Sequence, residues 1–442
     1  MSGDARSKLA RKNIILSFGS RFIGILTSFL LVPITIGYLD KTKYGIWITL
    51  SSVVVWLDFM DIGLGGGLQN KLAEALARDD KPLAKKLVST AYAFILMLSV
   101  IIIVLFIIIN NYLSWPNILN ADNSYYAELY WLAIIVFLCF AIQLVLRLIY
   151  TVLMAIQRSG IANMAGVISS VISLAIIYVI TKTTHSSLIY AGLGLSLSPI
   201  FIQIAVSLYL FKYSIPHLMP SIRSIDFSLL KEILNLGIKF FFIRISGIVL
   251  FQTSNFLISN LFSPADVTPY NIATKLFSSI YMVFTIVIAP FQAAFTEAYV
   301  KQDFAWIKKI INQLLMIWVA ALVFGIALLF LSPFIYRVWV GKEIEIDFTL
   351  SALCAFHYLV FTLGGIFNMF INGTGKLVIQ LICLGIGSVV FLPLAYVLVH
   401  YLNFGINGIV FAMILVNFYS PIIAPIQYYK LISNKASGLW AR

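Results

Sequence analysis

Apolar stretches of helical length follow one another along almost the whole chain, separated only by short polar breaks. They fall at 13–39, 44–68, 87–109, 126–155, 160–181, 187–211, 233–261, 269–298, 307–331, 347–371, 377–400 and 405–429. A continuous apolar run of about 20 residues is long enough to cross a bilayer as a helix. A membrane β-barrel would instead show strands of about 10 residues with alternating polarity. A lone segment in lipid must satisfy its own backbone, which only a helix does. The chain is therefore expected to be an all-α integral membrane protein of about 12 transmembrane helices. The bulk numbers agree, since 61% of the 442 residues are hydrophobic and only 11% are charged, whereas a soluble domain carries roughly 25% charge. Cys139, Cys354 and Cys383 lie inside apolar runs, so no disulfide framework is expected. The first apolar stretch is too long for a signal-peptide core and lacks a small-residue cleavage site.

The net charge of +13 would suggest nucleic acid in a soluble protein. Here its distribution reads as topology. With the N-terminus inside, Arg6, Lys8, Arg11, Lys12, the cluster Lys71 to Lys86, Arg158, Lys212, Arg223, Lys231, Lys301, Lys308, Lys309, Lys376, Lys430, Lys435 and Arg442 are cytoplasmic. The other face holds only Lys41, Lys43, Lys182, Arg337 and Lys342. That bias predicts cytoplasmic termini. The outer loop 110–125 lacks Lys and Arg but carries Tyr112, Trp115 and Tyr125, as an interfacial aromatic belt would.

The two halves resemble each other. Ile15-Leu16-Ser17-Phe18-Gly19 opens the first span and Ile233-Leu234-Asn235-Leu236-Gly237 the seventh. At an offset of 223, Gln69, Glu74-Ala75, Arg78 and Lys85-Lys86 match Gln292, Glu297-Ala298, Lys301 and Lys308-Lys309; at 215, Met154 to Gly160 matches Met369 to Gly375. This predicts two duplicated six-helix bundles, 1–211 and 233–442, joined by a cytoplasmic linker at 212–232. Six spans separate equivalent positions, so the repeats are parallel, with a site expected at their interface and access alternating by rocking.

Five basic residues fall within spans: Arg21, Arg147, Lys239, Arg244 and Lys275. Each costs about 2.5–3.5 kcal/mol at a helix centre on insertion scales, and intramembrane charges of this kind mark functional sites by default. Arg21, Lys239 and Lys275 also lie within snorkelling reach of a span end. In span one Asn13, Ser17, Ser20, Arg21, Thr27, Ser28 and Thr35 share a helix face around Gly24, and in span seven Arg244, Gln252, Asn255 and Ser259 share another. Such stripes predict a lumen lining. Acids are few: Asp58 and Asp61 on one face of span two, and Glu297 at the end of span eight, each either an ion-pair partner or a coupling group. A cationic, hydroxyl-lined lumen suits an anionic, sugar-like substrate, because guanidinium groups clamp phosphate oxygens.

Other motifs carry no chemistry. Gly373-Thr374-Gly375-Lys376 resembles the tail of a phosphate-binding loop, but Phe370 and Leu377 occupy positions that motif reserves for Gly and Ser/Thr. Gly63-Leu64-Gly65-Gly66-Gly67 reads as close helix packing or a hinge. His357 stands alone among apolar neighbours and reads as a core histidine, and no cluster has metal-ligand spacing. No cofactor is expected. The charged stretch 69–87 and its copy 292–310 read as helices extending into the cytoplasm at anionic headgroups.

Tyr44-Gly45-Ile46-Trp47, followed by Asp61-Ile62-Gly63-Leu64, resembles the bacterial polysaccharide-transport (O-antigen flippase) family of the multidrug/oligosaccharidyl-lipid/polysaccharide exporter superfamily. The likeness extends over the whole chain in length, span count and duplication. It implies a non-enzymatic flippase of the bacterial inner membrane, with no nucleic-acid partner. Its substrate would be a polyprenyl-diphosphate-linked oligosaccharide, moved from the cytoplasmic to the outer leaflet by ion-coupled alternating access. Membrane lipids, a polysaccharide polymerase and a chain-length regulator are the implied partners. The resemblance also implies a basic lumen, matched by residue type to Arg21, Arg147, Lys239, Arg244 and Lys275. Two alternatives stand beside it. A multidrug/cation antiporter would need an acid in span one, which has none. A glycosyltransferase or polymerase would draw catalytic groups from outer loops that offer only Asp122, Arg337, Lys342, Glu343 and Glu345.

Overall fold

The computed structural model describes the backbone of residues 3–56, 63–288 and 291–441, with side chains except at 3–18, 21, 235–244, 246–248, 250–251, 292–293 and 418. The described residues form helices and no strand, as the apolar segments predict. Two compact units emerge, Met1–Ile245 and Ser246–Arg442.

In the first unit, α1 (Gly3–Trp56) is two helices broken at Asp40, whose φ of 72° interrupts the ladder. The Asp40 carboxylate accepts hydrogen bonds from Thr42 N (2.7 Å) and Lys43 N (3.0 Å), capping the second half. Tyr44, Ile46 and Trp47 are buried there, so the motif residues of this stretch pack the bundle. α2 (Leu64–Ala77) starts from Gly63 at φ 73°, followed by α3 (Lys81–Asn110), α4 (Trp115–Leu119), α5 (Tyr126–Leu146), α6 (Leu148–Ala155), α7 (Ser159–Thr183) and α8 (Leu188–Tyr209). α5 packs on α3 and α8, and α7 on α1 and α8. A Cβ at Gly67 would lie 1.9 Å from the Ile233 carbonyl oxygen, so part of the glycine run does serve close packing. α9 (Leu230–Leu261) begins in this unit and ends in the next.

The second unit is built around α13 (Phe348–Thr374), which packs against α10 (Pro264–Ile288), α11 (Phe291–Val300), α12 (Phe304–Trp339), α15 (Ile406–Val416) and α16 (Ile423–Ile432); α14 (Val378–His400) packs on α15. Phe295 and Phe370 are fully buried and meet edge to face at 5.7 Å, with Tyr299 and Tyr428 alongside. At Gly364 a Cβ would come within 2.2 Å of Ser420, so only glycine admits this backbone approach.

Nine helices among the described residues are long and apolar enough to cross a membrane. The twelve expected segments differ from these at three places: the seventh, 233–261, lies in α9, many of whose side chains fall outside the described residues, and the other two differ for local reasons. The first two follow one another directly across the break at Asp40, with no loop between them. The twelfth splits into α15, a 3-10 turn at 417–419 and α16, where Pro421 offers no backbone N–H. Side chains such as Leu96, Val100, Val104 and Ile108 on α3 are about half exposed, as lipid contact requires of a spanning helix.

The charged stretches 69–87 and 292–310 are not single helices. Each is a helix, a tight turn and a second helix, because an aspartate in the middle caps the second one: Asp80 accepts from Leu83 N at 3.0 Å and Asp303 from Trp306 N at 3.0 Å. Trp115 is likewise no belt residue. It is buried, and its Nε1 donates to Asn110 Oδ1 at 2.7 Å.

Candidate functional site

Helices α10 and α13 run parallel with a constant register: Thr274 meets Cys354, and Tyr281 meets Phe361. Parallel helices of one polarity bring residues of like depth together, and here that depth is polar. Ser254 of α9 donates to Met413 Sδ at 3.2 Å, Tyr270 of α10 donates to the same sulfur at 3.7 Å, and Thr274 Oγ1 lies 3.9 Å from Cys354 Sγ. Lys275 follows directly. It is only partly exposed, and among the described residues no carboxylate lies within ion-pair distance of it. Asn255 is buried and Gln252 half-buried on α9, with Ser254 and Ser259 buried beside them. The second unit thus places one ammonium group at a helix level furnished with hydroxyl, thiol and thioether groups.

Arg147 of the first unit sits where α5 gives way to α6. Its own N–H still bonds Gln143 O at 2.9 Å, but the next turn tightens, with Tyr150 N bonding Arg147 O at 2.9 Å. Its guanidinium stands 5.9 Å from the Phe140 ring centroid, within cation–π range. A charge at a helix discontinuity inside an otherwise apolar span is a recurrent arrangement at transport sites.

Five of the sequence-derived residues fall outside what is described: the side chains of Arg21, Lys239 and Arg244, and the whole of Asp58 and Asp61. Glu297 is exposed on α11 and ion-paired one turn on with Lys301. That hydrogen bond holds the Glu297 carboxyl below its ordinary value and raises Lys301. The expected hydroxyl face of span one is largely turned inward: Ser20, Thr27 and Thr35 are buried, and Thr27 Oγ1 donates back to Ile23 O at 2.8 Å. A cavity of about 410 Å³ between α1 and α7 is lined by Gly19, Ser20, Ile23, Met164, Val167 and Ile168, and is too apolar for a sugar.

The residue patterns missed a buried hydroxyl cluster. Ser169 and Ser173 of α7 both meet Ser198 of α8, which donates to Ser169 O at 2.9 Å. The i, i+4 spacing of Ser169 and Ser173 in span five was the available signal. His357 is buried, stacked on Phe361 at 6.1 Å and edge-on to Tyr358 at 5.1 Å. Among the described residues no three His, Cys, Asp or Glu gather as a metal site would need.

A family model described as "Polysaccharide biosynthesis protein" matches residues 38–345. Two Salmonella proteins named "Putative O-antigen transporter" are similar. The one from Salmonella typhimurium is 24% identical over 292 residues, spanning 63% of this chain and 63% of its own length; the one from Salmonella typhi is 22% identical, spanning 77% of each. Among solved structures, the inward-facing conformation of a multidrug resistance MATE family transporter of the MOP superfamily has a TM-score of 0.81 at 16% identity, covering 96% of this chain and 98% of that one. A MOP superfamily transporter from Pyrococcus furiosus, described as having a binding pocket of reverse polarity, scores 0.67 at 16% identity, covering 97% of both chains. At that identity the likeness is one of fold.

Proposed function

We propose that this chain, which belongs to the polysaccharide biosynthesis protein family, is a flippase that moves polyprenyl-diphosphate-linked oligosaccharide from the inner to the outer leaflet of a bacterial cell membrane by ion-coupled alternating access. The observation that carries the reading is Lys275, a basic side chain within a spanning helix with no carboxylate to neutralise it among the described residues. An unneutralised intramembrane cation is costly and is retained where it does something. A diphosphate supplies the missing charge transiently. Arg147, able to take two phosphate oxygens at once, is its counterpart in the first unit. Arg21, Lys239 and Arg244 are proposed to add to the same positive field, and Gln252 and Asn255 to serve sugar hydroxyls. Asp58 and Asp61 are the candidates for coupling. The polyprenyl tail stays in lipid throughout, so the protein has only the polar head to shelter. A polysaccharide polymerase and a chain-length regulator are proposed as partners downstream.

Purified protein in liposomes should change the sidedness of a fluorescently labelled lipid-linked glycan in the presence of an ion gradient. No change in sidedness under any gradient would sink the reading. Multidrug antiport, favoured by the fold of the MATE structures, is the second reading. Efflux of ethidium that rises with expression would establish it instead.

A further inference from the structure

The last turn of α12 and the loop that follows border an open polar hollow. Gly341, at φ 91°, turns the chain after α12, and an irregular segment leads to Asp347 at the start of α13. Buried Ile344 pins this loop inward. The resulting hollow measures about 830 Å³ and is lined by Tyr336, Arg337, Lys342, Glu345, Asp347 and Phe348, a size typical of small-molecule sites. Tyr336 forms the floor, buried, its hydroxyl 3.1 Å from Ser351 Oγ. Phe348 remains 46% exposed at the rim.

Two cations and two carboxylates share this hollow, yet none of the four is ion-paired among the described residues; Asp347 Oδ2 accepts only from Asn407 Nδ2, at 3.4 Å. A simple anion would meet Glu345 and Asp347, and a simple cation would meet Arg337 and Lys342. A polyhydroxylated ligand suits all four, because each hydroxyl both donates to a carboxylate and accepts from an ammonium or guanidinium group. Phe348, part of the lining and half exposed, adds the kind of aromatic surface on which the C–H side of a sugar packs.

The duplicated half is built otherwise. Its corresponding loop, after α3, is filled by Trp115, which lies against Phe106 and Phe137 at 6.4 and 6.2 Å between ring centroids. An open hollow is therefore not a necessary product of the repeat. On the same end of α12, Phe330, Phe334 and Val338 are strongly exposed apolar residues suited to lipid, so a sugar held in the hollow would sit beside acyl chains.

We infer that the cavity between the end of α12 and the start of α13 binds the saccharide part of the lipid-linked substrate on the outer face. The inference rests on the flippase reading and on the cytoplasmic placement of the termini. It gives the translocated head group a landing site while its tail stays in the adjoining lipid.

The test uses the full chain in nanodiscs, titrated by saturation-transfer NMR with the free oligosaccharide released by mild acid from the lipid-linked glycan of the producing cells. Arg337→Ala and Glu345→Gln should each weaken binding about tenfold, the effect of one lost charge-assisted hydrogen bond. Both positions are exposed, and Lys342→Gln provides a third variant if either fails to fold. Unchanged binding in all folded variants overturns the inference, as does native mass spectrometry in which the variants lose a bound phospholipid while glycan binding persists. Wild-type protein that binds no glycan but flips the intact lipid-linked substrate overturns this inference alone. Wild-type protein that flips nothing overturns the flippase reading itself.

Discussion

Asp80 and Asp303 cap equivalent helices in the two units with the same geometry. Asp80 Oδ1 accepts from Leu83 N and Asp303 Oδ1 from Trp306 N, each at 3.0 Å. The preceding turns agree as well: Asp80 N bonds Ala75 O and Asp303 N bonds Ala298 O, both at 2.9 Å, while Asp79 and Gln302 take φ of 55° and 59°. Glu74 pairs with Arg78 as Glu297 pairs with Lys301. A duplicated sequence has kept a duplicated local structure.

Removing either cap should therefore cost the same. Asp80→Ala and Asp303→Ala should each lower stability by about 1 kcal/mol, with Asn at either position close to neutral. Thermal unfolding of the purified protein in detergent measures both, and unequal losses would mean that the two turns are not energetically alike.

Lys275 should matter for transport and not for folding. Lys275→Met keeps an unbranched side chain of nearly the same length and removes the charge, relieving an insertion cost of up to about 3 kcal/mol. The variant should be at least as stable as wild type while flipping of the lipid-linked substrate falls. Arg147→Ala should also abolish glycan export in cells at normal expression. Transport unaffected by both substitutions would remove these residues from the site.

Carboxyls outside the spanning helices give the protein an acid limb of stability with a defined sign. Hydrogen bonds with Lys301 and Ser228 respectively hold Glu297 and Asp226 below their ordinary values of 4.5 and 3.8. A carboxyl lowered in the folded state stabilises it above its ordinary value, and that contribution disappears as pH falls through the lowered one. Lys301 is raised above 10.5, so its share is present below that value and is lost only as pH climbs past it. Unfolding temperature should fall on acidification below about pH 4.5, and Glu297→Gln should flatten part of that fall.

Glycines at close approaches should be irreplaceable, and others not. A Cβ at Gly67 would strike the Ile233 carbonyl at 1.9 Å, and one at Gly364 would strike Ser420 at 2.2 Å, whereas Gly385 has nothing within 4 Å. Gly67→Ala and Gly364→Ala should destabilise by about 1–3 kcal/mol or more. Gly385→Ala, inside α14, should be neutral or stabilising by up to about 1 kcal/mol. Unfolding temperatures of the three variants check the ordering.

Asp226 should hold the connecting segment to α3. Its N–H bonds Thr90 Oγ1 at 2.9 Å, its carbonyl accepts from Thr90 at 3.2 Å, and its carboxylate lies 3.2 Å from Lys86 Nζ. Asp226→Ala together with Thr90→Val should speed proteolysis within 212–232. An unchanged cleavage rate would show that these contacts do not restrain the segment.

Much of this protein could be read from its sequence because lipid enforces simple rules. Apolar length dictated helices, and the repeated Glu, Arg/Lys and Lys-Lys pattern marked the duplication that Asp80 and Asp303 express. Packing decided what the pattern could not. A helical wheel places Ser20, Thr27 and Thr35 on one face, but whether that face lines water or a neighbour depends on which helix lies beside it, and the structure buries all three. Periodicity is likewise silent about the break at Asp40, about the turn centred on Asp80, and about the hollow at Arg337 and Glu345. Hydrophobicity is a property of each residue and is fixed once the chain is written. Proximity between residues far apart in sequence exists only after the helices have found their partners.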